Sequence, residues 1–291
     1  MVRVLTTVVG MAVAVYVTLA LLLYVFQSRL IYFPDVGRAI TATPAAVGLP
    51  FEEVHLDVEH GVRLHGWYVP HAQPRGVALI LHGNAGSIAL RLDWLAMFHR
   101  LGYASLIVDY RGYGASTGTP DEEGTYRDAQ AAWRHLVDVR GAKPGEIVVV
   151  GESLGGSIAA WLAARVTPRA LVIQSTFTSV SDLAAELYPV FPVRWLSRFR
   201  YETRLNVAAT DAPVLVAHSR DDEIIPYAHG RRLYDAAREP RSFVELRGGH
   251  NEGFLFSRPE WTAALAAFLE RAESVGAQAE QPGHVLADRH R

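Results

Sequence analysis

The sequence predicts a doubly wound α/β domain, opened by an antiparallel hairpin and preceded by one membrane-spanning helix. Three observations carry this. From Val77 onward, short apolar runs without polar alternation are separated by longer amphipathic stretches, as a mostly parallel sheet covered by helices on both faces requires. Ahead of them lie two alternating, β-branched stretches joined by Glu59-His60-Gly61, a hairpin signal. At the start, Val4 to Phe26 carries no charge; its length of about 23 residues can cross a hydrocarbon core of roughly 30 Å as a helix.

Taken in order, the elements support that outline. Tyr16, Tyr24 and Arg29 resemble the aromatic and basic anchors found near membrane interfaces. The alternative is a cleaved signal peptide. Against it, the apolar run exceeds the usual length of roughly 7–15 residues and no Ala-x-Ala site follows. Residues 1–27 are therefore read as an uncleaved signal-anchor. Arg3 stands on one side of it and Arg29 and Arg38 on the other, so the sequence leaves the orientation open. Arg29 to Pro50, with Pro34, Gly37, Pro44 and Gly48, reads as an irregular connector.

The hairpin strands are Phe51–Val58 and Val62–Val69. His55, His60, His65 and His71 fall in or near them; hairpin histidines are commonplace at surfaces and imply no metal. The apolar runs are Val77–Leu81, Ala104–Val108, Ile147–Val150, Leu171–Ile173, Val214–Ala217 and Phe243–Leu246. Helical candidates between them include Thr125–Val139, Gly156–Arg165 and Ala228–Ala237. A last helix, Pro259 to Ala272, closes a domain spanning 28–272. The polar, Gly/Pro-interrupted stretch 273–291 is expected to be a flexible tail.

Composition narrows the function. A chain of 291 residues suits one large α/β domain with a buried core, or two small ones. A formal charge of −2, with no basic stripe, argues against a nucleic-acid partner. The twelve histidines are scattered, with no His-Glu-x-x-His pair. With no cysteine there is no disulfide, thiolate zinc site or cysteine nucleophile.

The chemistry centres on Gly151-Glu152-Ser153-Leu154-Gly155-Gly156, which follows Ile147-Val148-Val149-Val150 directly and leads into a helix-forming stretch. Gly-x-Ser-x-Gly is a weak signal alone, but between an apolar strand and a helix it marks a sharp turn that presents the serine above the sheet. Small neighbours are needed because that turn strains the backbone. Ser153 is thus the candidate nucleophile. Its base is best supplied by His250, in the Gly-rich loop after the last strand. His218, at the end of a strand, is the strongest rival and is expected to be structural. An acid must fix the base's tautomer. Asp221, Asp222 and Glu223 all follow Val214–Ala217; Asp222, ahead of the turn at Ile224-Ile225-Pro226, is preferred and Asp221 is next. The oxyanion needs two N–H donors, assigned to Leu154 and to Asn84 in His82-Gly83-Asn84-Ala85-Gly86.

These residues resemble the α/β-hydrolase superfamily, and more narrowly its membrane-anchored, lid-poor serine hydrolases, which include serine aminopeptidase-like domains. The resemblance rests on His82–Gly86, Asp109–Ser116, Gly151–Gly156 and the segments holding Asp222 and His250, and covers residues 28 to 272. Arg29-Leu30-Ile31-Tyr32-Phe33-Pro34 also looks like the segment that follows the anchor in such proteins. It implies the α/β-hydrolase fold, Ser153, Asp222 and His250 as triad, and Asn84 and Leu154 as oxyanion donors. Ser219 departs from the pattern, where a glycine is usual. Asp109–Ser116 is expected to be a structural loop bordering the pocket.

Between Ser175 and Asp211, where large lids usually enter, this chain has under 40 residues. Its aromatic centre suggests a short cap at about 175–211, with His82, Gly83, Phe191 and Trp195 as pocket residues. The expected reaction is hydrolysis of a carboxylic ester or thioester of a small-molecule or lipid-like apolar acyl group through an acyl-enzyme, with no cofactor and no metal. A serine peptidase on the same triad and a non-catalytic membrane-tethered scaffold are the alternatives. Dehalogenase and epoxide-hydrolase chemistry is disfavoured, because those enzymes use Asp at the position of Ser153. The sequence is silent on oligomeric state.

Overall fold

The computed structural model describes residues 1–251 and 259–279. Its strands are β1 (Glu52–Glu59), β2 (Val62–Val69), β3 (Val77–Leu81), β4 (Ala104–Val108), β5 (Ile147–Glu152), β6 (Ala170–Gln174), β7 (Val214–Ser219) and β8 (Arg241–Leu246). They form one sheet in the order β1-β2-β4-β3-β5-β6-β7-β8. β2 runs antiparallel to both β1 and β4, and every other pair is parallel. The helices are α1 (Val2–Val25), α2 (Gln27–Ile31), α3 (Leu92–Arg100), α4 (Glu122–Arg134), α5 (Leu154–Ala163), α6 (Val180–Leu187), α7 (Val193–Leu196), α8 (Thr203–Ala209), α9 (Tyr227–Ala236) and α10 (Pro259–Ala279).

The central strands are uniformly apolar because each side of the sheet packs on helices. Leu79, Val149, Leu171 and Val216 point into one core with Ile158 of α5 and Leu233 of α9. Their neighbours Ile80, Val148, Val172 and Leu215 point into a second core with Trp94 of α3 and Leu265 of α10. Successive strand residues face opposite sides, so a run such as Val148-Val149-Val150 serves both cores. Burying a side chain of this kind contributes about 1.5–3 kcal/mol.

Several element ends differ from the sequence reading by two to five residues, and two boundaries of the domain move further. The connector after the apolar run begins as helix: α2 continues almost directly from α1, since no Gly or Pro lies between Val25 and Pro34. At the other end, α10 runs to Ala279 instead of ending at Ala272. Glu273, expected to open a flexible tail, accepts hydrogen bonds from Tyr103 Oη at 2.6 Å and Arg75 at 2.9 Å. These contacts carry the helix past its last apolar turn. The rest of the expected tail, 280–291, lies outside the described residues.

α1 is the one helix among the described residues long and apolar enough to cross a membrane, by length and composition. None of its residues is buried.

Candidate active site

Ser153 occupies the turn between β5 and α5 with φ 54° and ψ −118°, a left-handed conformation that costs a non-glycine residue about 1–3 kcal/mol. The surroundings hold it there. Ser153 N–H donates to Gln174 O at 2.9 Å, and Ser153 O accepts from Gly156 N–H at 3.0 Å and Thr176 Oγ1 at 3.0 Å. A Cβ on Gly151 would run into the Gly155 carbonyl, and one on Gly155 into the Leu81 carbonyl. The motif's glycines are therefore steric requirements of packing α5 against β3 and β5. On the far side, Glu152 is fixed by Trp94 Nε1 at 3.0 Å and Arg91 Nε at 3.2 Å.

His250 Nε2 stands 3.1 Å from Ser153 Oγ, and its Nδ1 lies 2.9 and 3.0 Å from the two oxygens of Asp222. All three residues are buried. The geometry selects Asp222 over Asp221 for contact with the histidine. The Asp222 carboxylate is aimed by a tight turn in which its Oδ1 accepts from Ile224 N–H at 3.0 Å and Ile225 N–H at 2.8 Å. Asp221 instead accepts from Gly248 N–H at 3.1 Å. Burial alone would raise the pKa of Asp222; hydrogen bonds to His218 and His250, the His250 charge and the Ile225 amide outweigh it and hold the carboxyl well below its ordinary range. The group is therefore an anion at neutral pH.

Two supports of this arrangement involve residues the sequence singled out, His218 as structural and Ser219 as a departure, without their partners. His218 is fully buried; its Nε2 donates to Ile225 O at 2.9 Å and stands 3.4 Å from Asp222 Oδ2. Asp222 thus sits between two imidazoles. Ser219, which departs from the usual glycine, donates from Oγ to Gly248 O at 2.6 Å. It ties the end of β7 to the loop carrying His250. The i, i+4 spacing of His218 and Asp222 across the β7 turn was the available signal for the first; nothing local announces the second.

The His82–Gly86 loop is braced from below. Tyr110 Oη donates to His82 O at 2.9 Å and Tyr113 Oη to Asn84 O at 3.0 Å, which gives the Asp109–Ser116 block its structural role. Asn84 and Leu154 line the same cavity as Ser153. Among the described residues, neither backbone N–H of the pair donates to a protein acceptor. His82 is sealed beneath this loop, its Nδ1 2.7 Å from Gly83 O. Burial pushes its pKa down to about 4.

The cavity above Ser153 measures ≈ 480 Å³, within the usual range of small-molecule sites, roughly 300–1,000 Å³. Its apolar walls include Phe177, Val180, Leu183 and Leu187. Four expected pocket residues require correction, since none lines it. His82 lies below the floor; Gly83 abuts Ser153, where a Cβ would stand 3.5 Å from that of Ser153. Phe191 stacks on Tyr16 of α1 at 5.1 Å and lines a neighbouring cavity instead. Trp195 is 90% exposed. From the same stretch of the cap it is Tyr188, Val193 and Leu196 that line the cavity, beside the α6 walls already named.

A strained serine at the end of β5, a histidine after β8 and this strand order together define a hydrolase-type α/β sheet, in which ligands meet the carboxyl ends of the strands. The chain belongs to the α/β-hydrolase family. The family model for the alpha/beta hydrolase fold matches residues 77–211. The α/β-hydrolase domain-containing protein WAV2 of Arabidopsis thaliana is 34% identical over 275 residues, covering 86% of this chain and 89% of that protein. The uncharacterized protein Rv2307c of Mycobacterium tuberculosis is 37% identical over 254 residues, with the same coverages. Among solved structures, the esterase Pf2001 of Pyrococcus furiosus superposes with a TM-score of 0.67 at 19% identity, over 80% of this chain and 95% of that one; this likeness is one of fold.

Proposed function

We propose that the protein is a membrane-anchored serine hydrolase that cleaves a carboxylic ester or thioester of an apolar acyl group through an acyl-enzyme. The observation that carries this is the continuous contact from Asp222 through His250 to Ser153 at the floor of an apolar cavity. Ser153 Oγ attacks the acyl carbonyl as its proton passes to His250 Nε2, while Asp222 holds the other ring nitrogen protonated and stabilises the imidazolium. The oxyanion is met by the N–H groups of Leu154 and Asn84. His250 then returns the proton to the departing alkoxide or thiolate. Water, deprotonated by His250, attacks the acyl-enzyme and releases the carboxylic acid. α1 supplies the anchor, since its length and composition fit a bilayer span.

The test is fluorophosphonate labelling of membranes containing the full chain, followed by hydrolysis of p-nitrophenyl esters and a parallel panel of arylamides. Wild-type protein should be labelled and should prefer esters. Ser153→Ala should abolish labelling and lower kcat by about 10⁴–10⁶. A Ser153→Ala variant that still turned over esters at the wild-type rate would remove the assignment, and a preference for arylamides would move it to a peptidase.

A further inference from the structure

One wall of the cavity above Ser153 comes from the two N-terminal helices, ahead of the sheet. It is made by Leu23 and Tyr24 at the end of α1 and by Gln27, Leu30 and Ile31 of α2. We infer that the anchor is a working part of the substrate site, and that the site draws the acyl chain of an ester lipid directly out of the bilayer. This rests on the reading of Ser153 as the nucleophile of an ester hydrolase and names the substrate class for it.

The path can be followed residue by residue. A second cavity of ≈ 320 Å³ shares Leu23, Leu30 and Tyr188 with the first and continues to Leu19, Leu22 and Phe191. Leu19 precedes Val25 by six residues, about 9 Å along a helix rising 1.5 Å per residue. The two cavities therefore adjoin, and in this inference they act as one apolar channel that leaves Ser153 and runs back along α1, towards the part of the helix that would lie in hydrocarbon.

The cap lies against the same stretch. Phe191 stacks on Tyr16 at 5.1 Å, and Tyr16 Oη donates to Val190 O at 2.9 Å. Tyr16 is nine residues before Val25, about 14 Å up the helix. With α1 across a bilayer, the tip of the cap therefore stands inside one leaflet. Its surface fits that place: Leu187, Val190 and Trp195 are exposed, an apolar patch of the kind that marks a membrane or partner contact.

Apart from the Tyr16 hydroxyl, the polar contacts between cap and anchor gather where the hydrocarbon should end. Gln27 Nε2 donates to Leu196 O at 2.9 Å, Arg198 N–H donates to Gln27 Oε1 at 2.8 Å, and the Arg198 guanidinium lies 5.2 Å over the Tyr24 ring. Tyrosine and arginine are interface residues. The contacts thus pass from mainly apolar at Leu19–Leu23, with the single Tyr16 hydroxyl bond beyond them, to polar and charged at Tyr24–Gln27, which places the boundary near Tyr24 and the second cavity on its hydrocarbon side. The same segment grips the oxyanion loop: Asn84 Nδ2 donates to Ile31 O at 3.1 Å, and Phe33 N–H to Asn84 O at 3.0 Å. A lipid lying beside α1 needs only to slide its chain along the helix for its ester to reach Ser153. A peptide-borne acyl group would have to bring its backbone below the interface.

The experiment uses the full chain in phospholipid vesicles. Hydrolysis of a C16 and a C4 monoacylglycerol and of a palmitoylated peptide thioester is measured for wild type, Leu23→Trp, Leu30→Trp and a control, Val8→Trp, on α1 away from both cavities. Each variant's fold is checked by its thermal midpoint. Both channel variants should lower the C16 to C4 ratio of kcat/KM at least tenfold, and Val8→Trp should leave it unchanged. Lipids brominated on their acyl chains should quench wild-type fluorescence more than that of Trp195→Phe. An unchanged ratio in both folded channel variants, no quenching difference, or faster cleavage of the peptide thioester than of the C16 glyceride would overturn the inference. Wild-type protein that neither binds a fluorophosphonate nor cleaves any of the three substrates would instead remove the underlying reading of Ser153, a result visible without any variant.

Discussion

The floor and the roof of this site are built in opposite ways. On the floor, Ser153, Asp222 and His250 are buried, each follows a different strand, and each is held by backbone or side-chain partners. The roof is α1, α6 and α7, among which Val193 is the one buried residue. The floor is over-determined, whereas the roof depends on a few aromatic and polar contacts and on whatever apolar medium surrounds it. Elements with few buried contacts are those that open most readily. The difference teaches that chemistry and selectivity are separable here: changes below should alter rate at every chain length, and changes above should alter which chain is accepted.

The strongest way to break that separation is Asp222→Asn. It leaves the turn donors in place but lets His250 adopt the wrong tautomer, so kcat should fall by about 10³–10⁴ for short and long esters alike. Steady-state kinetics across a chain-length series checks it; a loss confined to long chains would contradict the separation. Gly155→Ala strikes the floor through packing. Its new Cβ meets the Leu81 carbonyl, so the protein should lose about 3 kcal/mol or more of stability, read from chemical denaturation, along with fluorophosphonate labelling.

The floor should also be acid-sensitive through His82. Its folded pKa of about 4 lies below the unfolded value of 6.5, so between those values the unfolded chain binds more protons. Stability is therefore full above pH 6.5 and falls as pH drops towards 4, by about 3 kcal/mol in all from this residue. Unfolding curves at pH 6 and pH 5 should show His82→Asn losing about 1 kcal/mol less than wild type over that unit.

The smallest effect belongs to the roof. Phe191→Ala removes a stacked pair with Tyr16 worth about 0.5–1.5 kcal/mol. It should leave C4 hydrolysis unchanged and shift the C16 to C4 ratio by up to about tenfold. A matching loss at both lengths would show that the cap bears on the chemistry itself.

Legibility followed the same division. The strands β3 and β4 match their apolar runs residue for residue, because burial on both sheet faces leaves a local signature. The choice of Asp222 over Asp221 was also readable, since the turn at Ile224 and Ile225 sets the carboxylate's direction within three residues. Phe191 and Trp195 were placed in the pocket on their apolar character alone. In four-residue α7, as in the turn before it, composition does not say which side faces inward, and their neighbours Tyr188 and Leu196 took that place.

What the sequence by itself determined was the backbone of the site: a strand, a strained turn at Ser153, a helix, and partners in the order Ser, Asp, His. These follow from apolar periodicity and steric limits acting over a few residues. What only the tertiary structure decided was contact across long separations: Ser153 with His250 at 97 residues, Tyr16 with Val190 at 174, and Gln27 with Leu196 at 169. Such contacts depend on how whole elements pack and on which way each side chain leaves them, and no local pattern encodes that direction. The anchor entered as an apolar run of the right length; packing made it a wall of the cavity above Ser153.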